Sequence, residues 1–137
     1  MVWKSCVVAV AIAMLAIAST AVAAKPVLDV RPNQVRFGSQ PYETFETRTV
    51  TVTNRSSENV TLTSDAGLPD DFSHLIDSTC GLADKVLAPR ESCTHVIGFR
   101  PTPFFEGVET ATLVLTARDA SGTIVDQLTV TITGRGV

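Results

Sequence analysis

Strict two-residue alternation is the feature that most limits what this chain can become. In Arg48-Thr49-Val50-Thr51-Val52-Thr53-Asn54 the valines occupy every second position, so Val50 and Val52 share one face and the threonines take the other. Successive side chains on extended backbone point to opposite sides, so this period describes a half-buried strand and not a helix. Asn59-Val60-Thr61-Leu62-Thr63 repeats the pattern with Val60 and Leu62. Between these runs, Asn54-Arg55-Ser56-Ser57-Glu58 supplies turn chemistry and predicts that the two strands pair as a hairpin. Further along, Ala111, Leu113, Leu115 and Ala117 alternate with Thr110, Thr112, Val114 and Thr116. Leu128-Thr129-Val130-Thr131-Ile132-Thr133 closes the series, with Asp119-Ala120-Ser121-Gly122 as the turn before it. Shorter strands are expected at 27–30, 35–37 and 93–99. β-Branched residues at outward positions suit a pleated, half-buried surface.

Helical periodicity is missing after Lys25. One stretch, 69–76, has room for a short helical turn with Asp70 and Asp71 at its start. Strands spaced by about ten residues, with turns and no crossover helices, predict an all-β antiparallel sandwich of about seven strands. No repeat, low-complexity tract or linker divides the 137 residues. The expected organisation is a leader at 1–24 and one β-sandwich domain at 25–137.

The leader reading rests on Lys4, the apolar run from Cys6 to Ala18, and the small residues Ala21-Val22-Ala23-Ala24. A positive start, an apolar stretch and a small-x-small end describe a secretory signal peptide. Cleavage is expected just before Ala24 or Lys25, leaving a secreted or periplasmic domain with no membrane span. An uncleaved anchor is the competing reading, opposed by Ser19 and Thr20 and by the alanine-rich, only moderately apolar run. Removing the leader takes away Lys4, one of 11 basic residues, and none of the 14 acidic ones. The remaining acidic balance, without any basic stripe, argues against a nucleic-acid partner.

Cys6 leaves with the leader, so Cys80 and Cys93 remain. An even pair in an exported chain reads as a disulfide. The rival reading is a metal site built from Cys80, Cys93, His95 and His74, which lacks the usual close ligand spacing.

The ordered set of short motifs resembles a known family. Val35-Arg36-Phe37-Gly38, Asp71-Phe72, Cys80-Gly81, Leu87-Ala88-Pro89, Glu91-Ser92-Cys93, Phe99-Arg100-Pro101, Gly107 and Thr133-Gly134-Arg135-Gly136 follow one another as in abnormal-spindle/Hydin (ASH) domains. Bacterial members are labelled choice-of-anchor D, and the fold is an immunoglobulin-like sandwich related to major sperm protein. The resemblance implies that Cys80 pairs with Cys93, that 89–92 turns into the second cysteine's strand, and that Gly134 and Gly136 end the last strand. It also implies a non-catalytic docking module.

This chain departs from that pattern in three ways. It carries a single copy behind a leader. His95 stands in register with Cys93, Ile97 and Phe99, on the inward face where the family has an aliphatic residue. A ligand, a pH-sensitive group and a half-buried imidazole bonded to backbone are the readings of that position, the last being favoured. The loop Pro101-Thr102-Pro103-Phe104-Phe105-Glu106-Gly107 carries two phenylalanines where the family has small polar residues. Adjacent side chains point opposite ways, so one ring is expected in the core and the other exposed as a partner contact.

Catalytic patterns are absent. No G-x-S-x-G, Walker or dinucleotide glycine motif occurs, and neither histidine sits in a recognisable triad. Asp65, Asp70, Asp71 and Asp77 have no calcium-loop spacing, and Asp70, Asp71, Glu106 and Glu109 read as solvated turn residues rather than a glycosidase pair. Asn54-Arg55-Ser56 and Asn59-Val60-Thr61 match the N-glycosylation triplet, a pattern that recurs by chance. The sequence therefore points to an exported, non-catalytic immunoglobulin-like module without cofactor or metal, binding an unidentified protein or cell-envelope component. A periplasmic chaperone or pilus-type subunit acting by strand exchange is the alternative.

Overall fold

The alternating runs become strands that face one another across a single apolar layer. The computed structural model describes residues 26–137, and the leader expected at 1–24 lies outside them. Nine strands follow in order: β1 (Leu28–Arg31), β2 (Gln34–Gln40), β3 (Glu46–Asn54), β4 (Val60–Gly67), β5 (Phe72–His74), β6 (Lys85–Leu87), β7 (Ser92–Phe99), β8 (Val108–Arg118) and β9 (Ile124–Gly136). They form a four-stranded sheet, β1-β3-β7-β5, and a five-stranded sheet, β2-β9-β8-β4-β6. This is the expected all-β, immunoglobulin-like sandwich. All pairs are antiparallel except β2 with β9, which run parallel from Gln34 opposite Thr131 to Gln40 opposite Gly136.

Inward stripes from both sheets make the core. Val50 and Val52 of β3 and Ile97 and Phe99 of β7 are fully buried against Leu113 and Leu115 of β8 and Ile132 of β9. One end of this layer is aromatic: the Phe99 ring centroid lies 4.7 Å from that of Phe72 and 5.2 Å from that of Phe37. Gly134 belongs to the same packing, because a Cβ there would stand 2.6 Å from the Phe99 ring.

Two expectations from the sequence fail here. β3 and β4 are not a hairpin, since β3 pairs with β1 and β7 while β4 pairs with β6 and β8. Residues 55–59 carry the chain from one sheet to the other, a gap of roughly 10 Å between packed sheets. Val60 and Leu62 therefore meet Val50 and Val52 from the opposite layer. Likewise 69–76 contains β5 and not a helical turn, because Phe72 enters the aromatic cluster and the backbone pairs with β7.

Asn54 fixes the crossing. Its side chain is fully buried. The Nδ2 group donates to the carbonyls of Glu58 (2.8 Å), Leu87 (3.0 Å) and Ala88 (3.2 Å), and Oδ1 accepts from Ser56 N and Oγ. Its backbone N–H donates to Glu91 O and its carbonyl accepts from Arg90 N. One amide thus ties the crossover, the end of β6 and the turn into β7.

The Cys80–Cys93 disulfide closes a loop with a sequence separation of 13 and holds the irregular 75–84 segment against β7. There, hydroxyls stand in for a neighbouring strand: Thr94 N donates to Thr79 Oγ1 and Val96 N to Ser78 Oγ, while Cys80 N and Leu75 N donate to the carbonyls of Thr94 and Val96. Both cysteine sulfurs being spent, the metal alternative loses two of its four ligands.

Replacing both cysteines by serine is expected to lower unfolding free energy by about 3 kcal/mol, the chain-entropy value for a loop of this length, read from urea denaturation. Asn54→Ala should cost about 2–3 kcal/mol in the same assay, because it strands several buried polar groups at once.

Candidate binding surface

The Phe104-Phe105 loop leaves β7 at Phe99 and returns as β8 at Val108. Its base is rigid. Pro101 is buried, and buried Asp71 accepts from Thr102 N and Thr102 Oγ1, each at 3.0 Å, while its carbonyl accepts from Arg100 N at 2.8 Å. Glu43 N donates to Pro101 O, and the Glu43 carboxylate pairs with Arg100 at 2.7 Å. Above this base the chain turns, with Phe105 N donating to Thr102 O. Phe104 is 87% exposed and Phe105 44%, and neighbouring Val108 is also exposed. The expectation that one ring enters the core therefore fails. The space beneath is already filled by Phe37, Phe72 and Phe99, so the turn carries both rings outward.

A carboxyl group beside this loop titrates abnormally. Burial, a hydrogen bond to Asp71 and the negative charges of Asp71 and Asp70 push Glu109 up to about 7. Asp71 thus serves two neighbours: it fastens Thr102 and raises Glu109. The sequence reads Glu109 as a solvated turn residue, since nothing in it brings Asp70 and Asp71 close to β8.

A second unfilled feature is the outer edge of β9. β8 pairs along the whole strand, from Val108 opposite Arg135 to Arg118 opposite Ile124. β2 pairs only with Thr131–Gly136, so among the described residues no strand lies along the outer edge of 124–130. A groove of about 350 Å³ runs there, lined by Leu28, Val30, Asn33, Leu128 and Val130 among others. The nominal edge strands carry protection of the usual kinds. β5 and β6 have three residues each, β1 holds the Asp29–Arg31 ion pair before Pro32, and β2 bends at Gly38. The open half of β9 has no lysine, arginine or proline, and its one charge, Asp126, accepts from Val27 N and Leu28 N.

His95 is fully buried but bonded to side chains rather than backbone. Its Nε2 lies 2.9 Å from Ser64 Oγ and its Nδ1 2.8 Å from His74 Nε2. Ser64 is itself buried within the sandwich, 6% exposed, so this Ser–His pair faces no cleft. Among the described residues no group of three or more His, Cys, Asp or Glu is arranged to hold a metal ion. Asp71 is spent on Thr102, whereas Asp65, Asp70 and Asp77 are exposed. Of the two glycosylation triplets, Asn54 is sealed in the core and Asn59 is exposed.

No protein-family model matches the sequence, and no curated protein matches it. Solved structures do match the fold. The ASH/PapD-like domain 7 of human CEP192 superposes with a TM-score of 0.64 at 10% identity, over 100% of this chain and 96% of that one. WR4, a C. elegans major-sperm-protein family member, gives 0.57 at 9% identity over 82% of this chain and 100% of that one. The Vibrio cholerae VesB protease gives 0.58 at 21% identity over 80% of this chain, which spans 32% of that protein's length. The chain therefore has the ASH-like, major-sperm-protein-related sandwich fold expected from its motifs.

The Glu109 geometry has a measurable consequence. A carboxyl raised by folding from its ordinary 4.5 to about 7 favours its neutral form in the native state. Its contribution to stability is full below about 4.5 and is lost as pH climbs toward 7. Glu109→Gln is expected to remove that decline, so its urea midpoint should exceed the wild type's at pH 8 and approach it at pH 4.5.

Proposed function

We propose that this chain is an exported, non-catalytic immunoglobulin-like module that binds a protein or another component of the cell envelope through its 101–107 loop. The observation that carries this reading is the exposure of Phe104 and Phe105 together on a loop fastened at its base by Asp71. Adjacent exposed aromatics on a braced support bury large area on contact while losing little conformational freedom, which is the character of an interface anchor. A leader-like 1–24 segment and a disulfide, which oxidising compartments preserve, support a secreted or periplasmic location. Among the described residues no helix is long and apolar enough to cross a membrane. The acidic balance favours neither nucleic acid nor any anionic surface as partner.

The double variant Phe104→Ser/Phe105→Ser is expected to melt within about 1 kcal/mol of the wild type, as surface substitutions do. It should also lose the envelope-protein crosslink formed by a photoreactive residue placed at position 106. Strong destabilisation by each single substitution would make both rings part of the packing and end this reading.

A second reading, strand addition of the kind used by periplasmic chaperones and pilus-type subunits, draws on the unpaired outer edge of 124–130. β9 itself is held between β2 and β8, so it is not a strand free to be donated; the open edge would accept one. Val125→Lys/Thr129→Lys would block such an edge. Binding that survives the phenylalanine variant and disappears in the lysine variant favours this second reading.

A further inference from the structure

The polar chain inside the sandwich has a direction. Ser64 on β4, His95 on β7 and His74 on β5 are linked in sequence across the apolar layer. Among the described residues Ser64 Oγ has one partner, His95 Nε2 at 2.9 Å. Its proton has a buried acceptor only if Ser64 donates and Nε2 accepts. Neutral His95 then carries its proton on Nδ1 and donates it to His74 Nε2, 2.8 Å away. Neutral His74 in turn carries its proton on Nδ1. No buried side-chain nitrogen or oxygen among the described residues lacks a partner, so that unbonded Nδ1 reaches solvent. The reverse direction would leave the Ser64 proton buried without an acceptor, which disfavours it.

We propose that His74 is an acid-released latch on the edge strand β5, held closed at neutral pH by this one-way chain from Ser64 through His95. Water meets His74 at Nδ1, which already bears a proton. The basic nitrogen, Nε2, is covered by the His95 N–H. A proton can be gained only when the His74 ring leaves that contact, and return of the imidazolium so formed is disfavoured, because two N–H groups would then face each other unless His95 reverses. Reversing His95 to readmit it would strand the Ser64 proton. Acid therefore shifts the balance toward the open position.

One other group nearby changes charge in this range: Glu109, at Asp71 ahead of β5, becomes neutral in acid, which relieves repulsion with Asp71 and Asp70 and so does not release that end. β3 places Val50 opposite His95, and β8 places Leu115 opposite Ser64. Asp65 of β4 is exposed, Asp71 ahead of β5 gives its carboxylate to Thr102, and Asp70 and Asp77 are exposed. Consistent with the geometry, burial lowers His74, and burial with the charge of His74 lowers His95 to about 4, so both rings are neutral at pH 7. Groups depressed on folding stabilise the closed state fully above their ordinary 6.5 and lose that contribution as pH falls toward 4.

The opening is local. β5 touches β7 at three pairs, Phe72 with Phe99, Ser73 with Gly98 and His74 with Ile97. Asp71 anchors one end through Thr102 and Arg100, and the other is anchored by Leu75 N to Val96 O and then the disulfide. Release of the span between these anchors bares the outer edge of β7 at 97–99, a site where an extended segment can add.

Amide hydrogen exchange between pH 5 and 7.5, corrected for intrinsic rates, tests the latch. Opening of the β5–β7 ladder should rise by up to about tenfold per pH unit below 6.5, the limit for one proton, while remaining easier than opening of the β8–β9 ladder at every pH. His74→Gln keeps an oxygen that can accept from His95 but does not titrate, so its β5–β7 protection should be independent of pH. Long-range proton–nitrogen NMR of the unmodified protein should find the His95 proton on Nδ1 at pH 7.5, a readout that needs no variant. A His95 proton on Nε2, β5–β7 exchange no easier than β8–β9 exchange, or acid sensitivity retained in His74→Gln would each overturn the proposal.

Discussion

Burial of one face of each sheet against the other is the constraint on which the rest of this structure depends. The two layers share a single slab of Val, Leu, Ile and Phe, and Val50, Val52, Ile97, Phe99, Leu113, Leu115 and Ile132 are sealed inside it. Every strand must therefore keep its alternation in phase with that slab. A slip of one residue would turn its apolar set to water and its threonines inward. The crossover at 55–59, the Asn54 network and the Phe99 ring in the space left by Gly134 all hold the phase at points where the chain changes direction or layer.

Polar groups enter this slab under strict terms. Asn54 at one place and the Ser64–His95–His74 chain at another find partners for their buried atoms, and none among the described residues is left unsatisfied. They differ in chemistry. An amide does not titrate and can serve as a permanent tie, whereas imidazoles change their donor count with pH. The fold thus has a fixed polar hub beside the crossover and a conditional one under its thinnest edge strand.

What the packing does not use is left at the periphery. The aromatic end of the core is full, so Phe104 and Phe105 stay outside on a loop that Asp71 keeps stiff. β2 is too short to cover all of β9, because the chain spends 28–31 in the other sheet before crossing at Pro32. Both surfaces follow from how the strands are apportioned between layers.

Period-two alternation was enough to read the all-β class, seven of the strands and their inward residues, because which side of a strand a residue takes is a local property of extended backbone. The pairing of Cys80 with Cys93 was legible from the even count, and the ASH-like order of motifs agreed with it. Which sheet each strand joins was not legible. Val50-Thr-Val52 and Val60-Thr-Leu62 look the same whether they pair side by side or meet face to face, and the crossover is decided by partners such as Leu87 and Glu91, far away in sequence. Short β5 and β6 carried too few residues to show a period and exist because β7 and β4 offer them edges. The same holds for the polar chain: His95 was marked as an inward oddity, but His74 and Ser64 reach it only once β5 and β4 have packed from two sides. Local sterics wrote the faces of the strands into the sequence; neighbours across the slab, set by competition for buried space and hydrogen-bond partners, are a property of the folded whole.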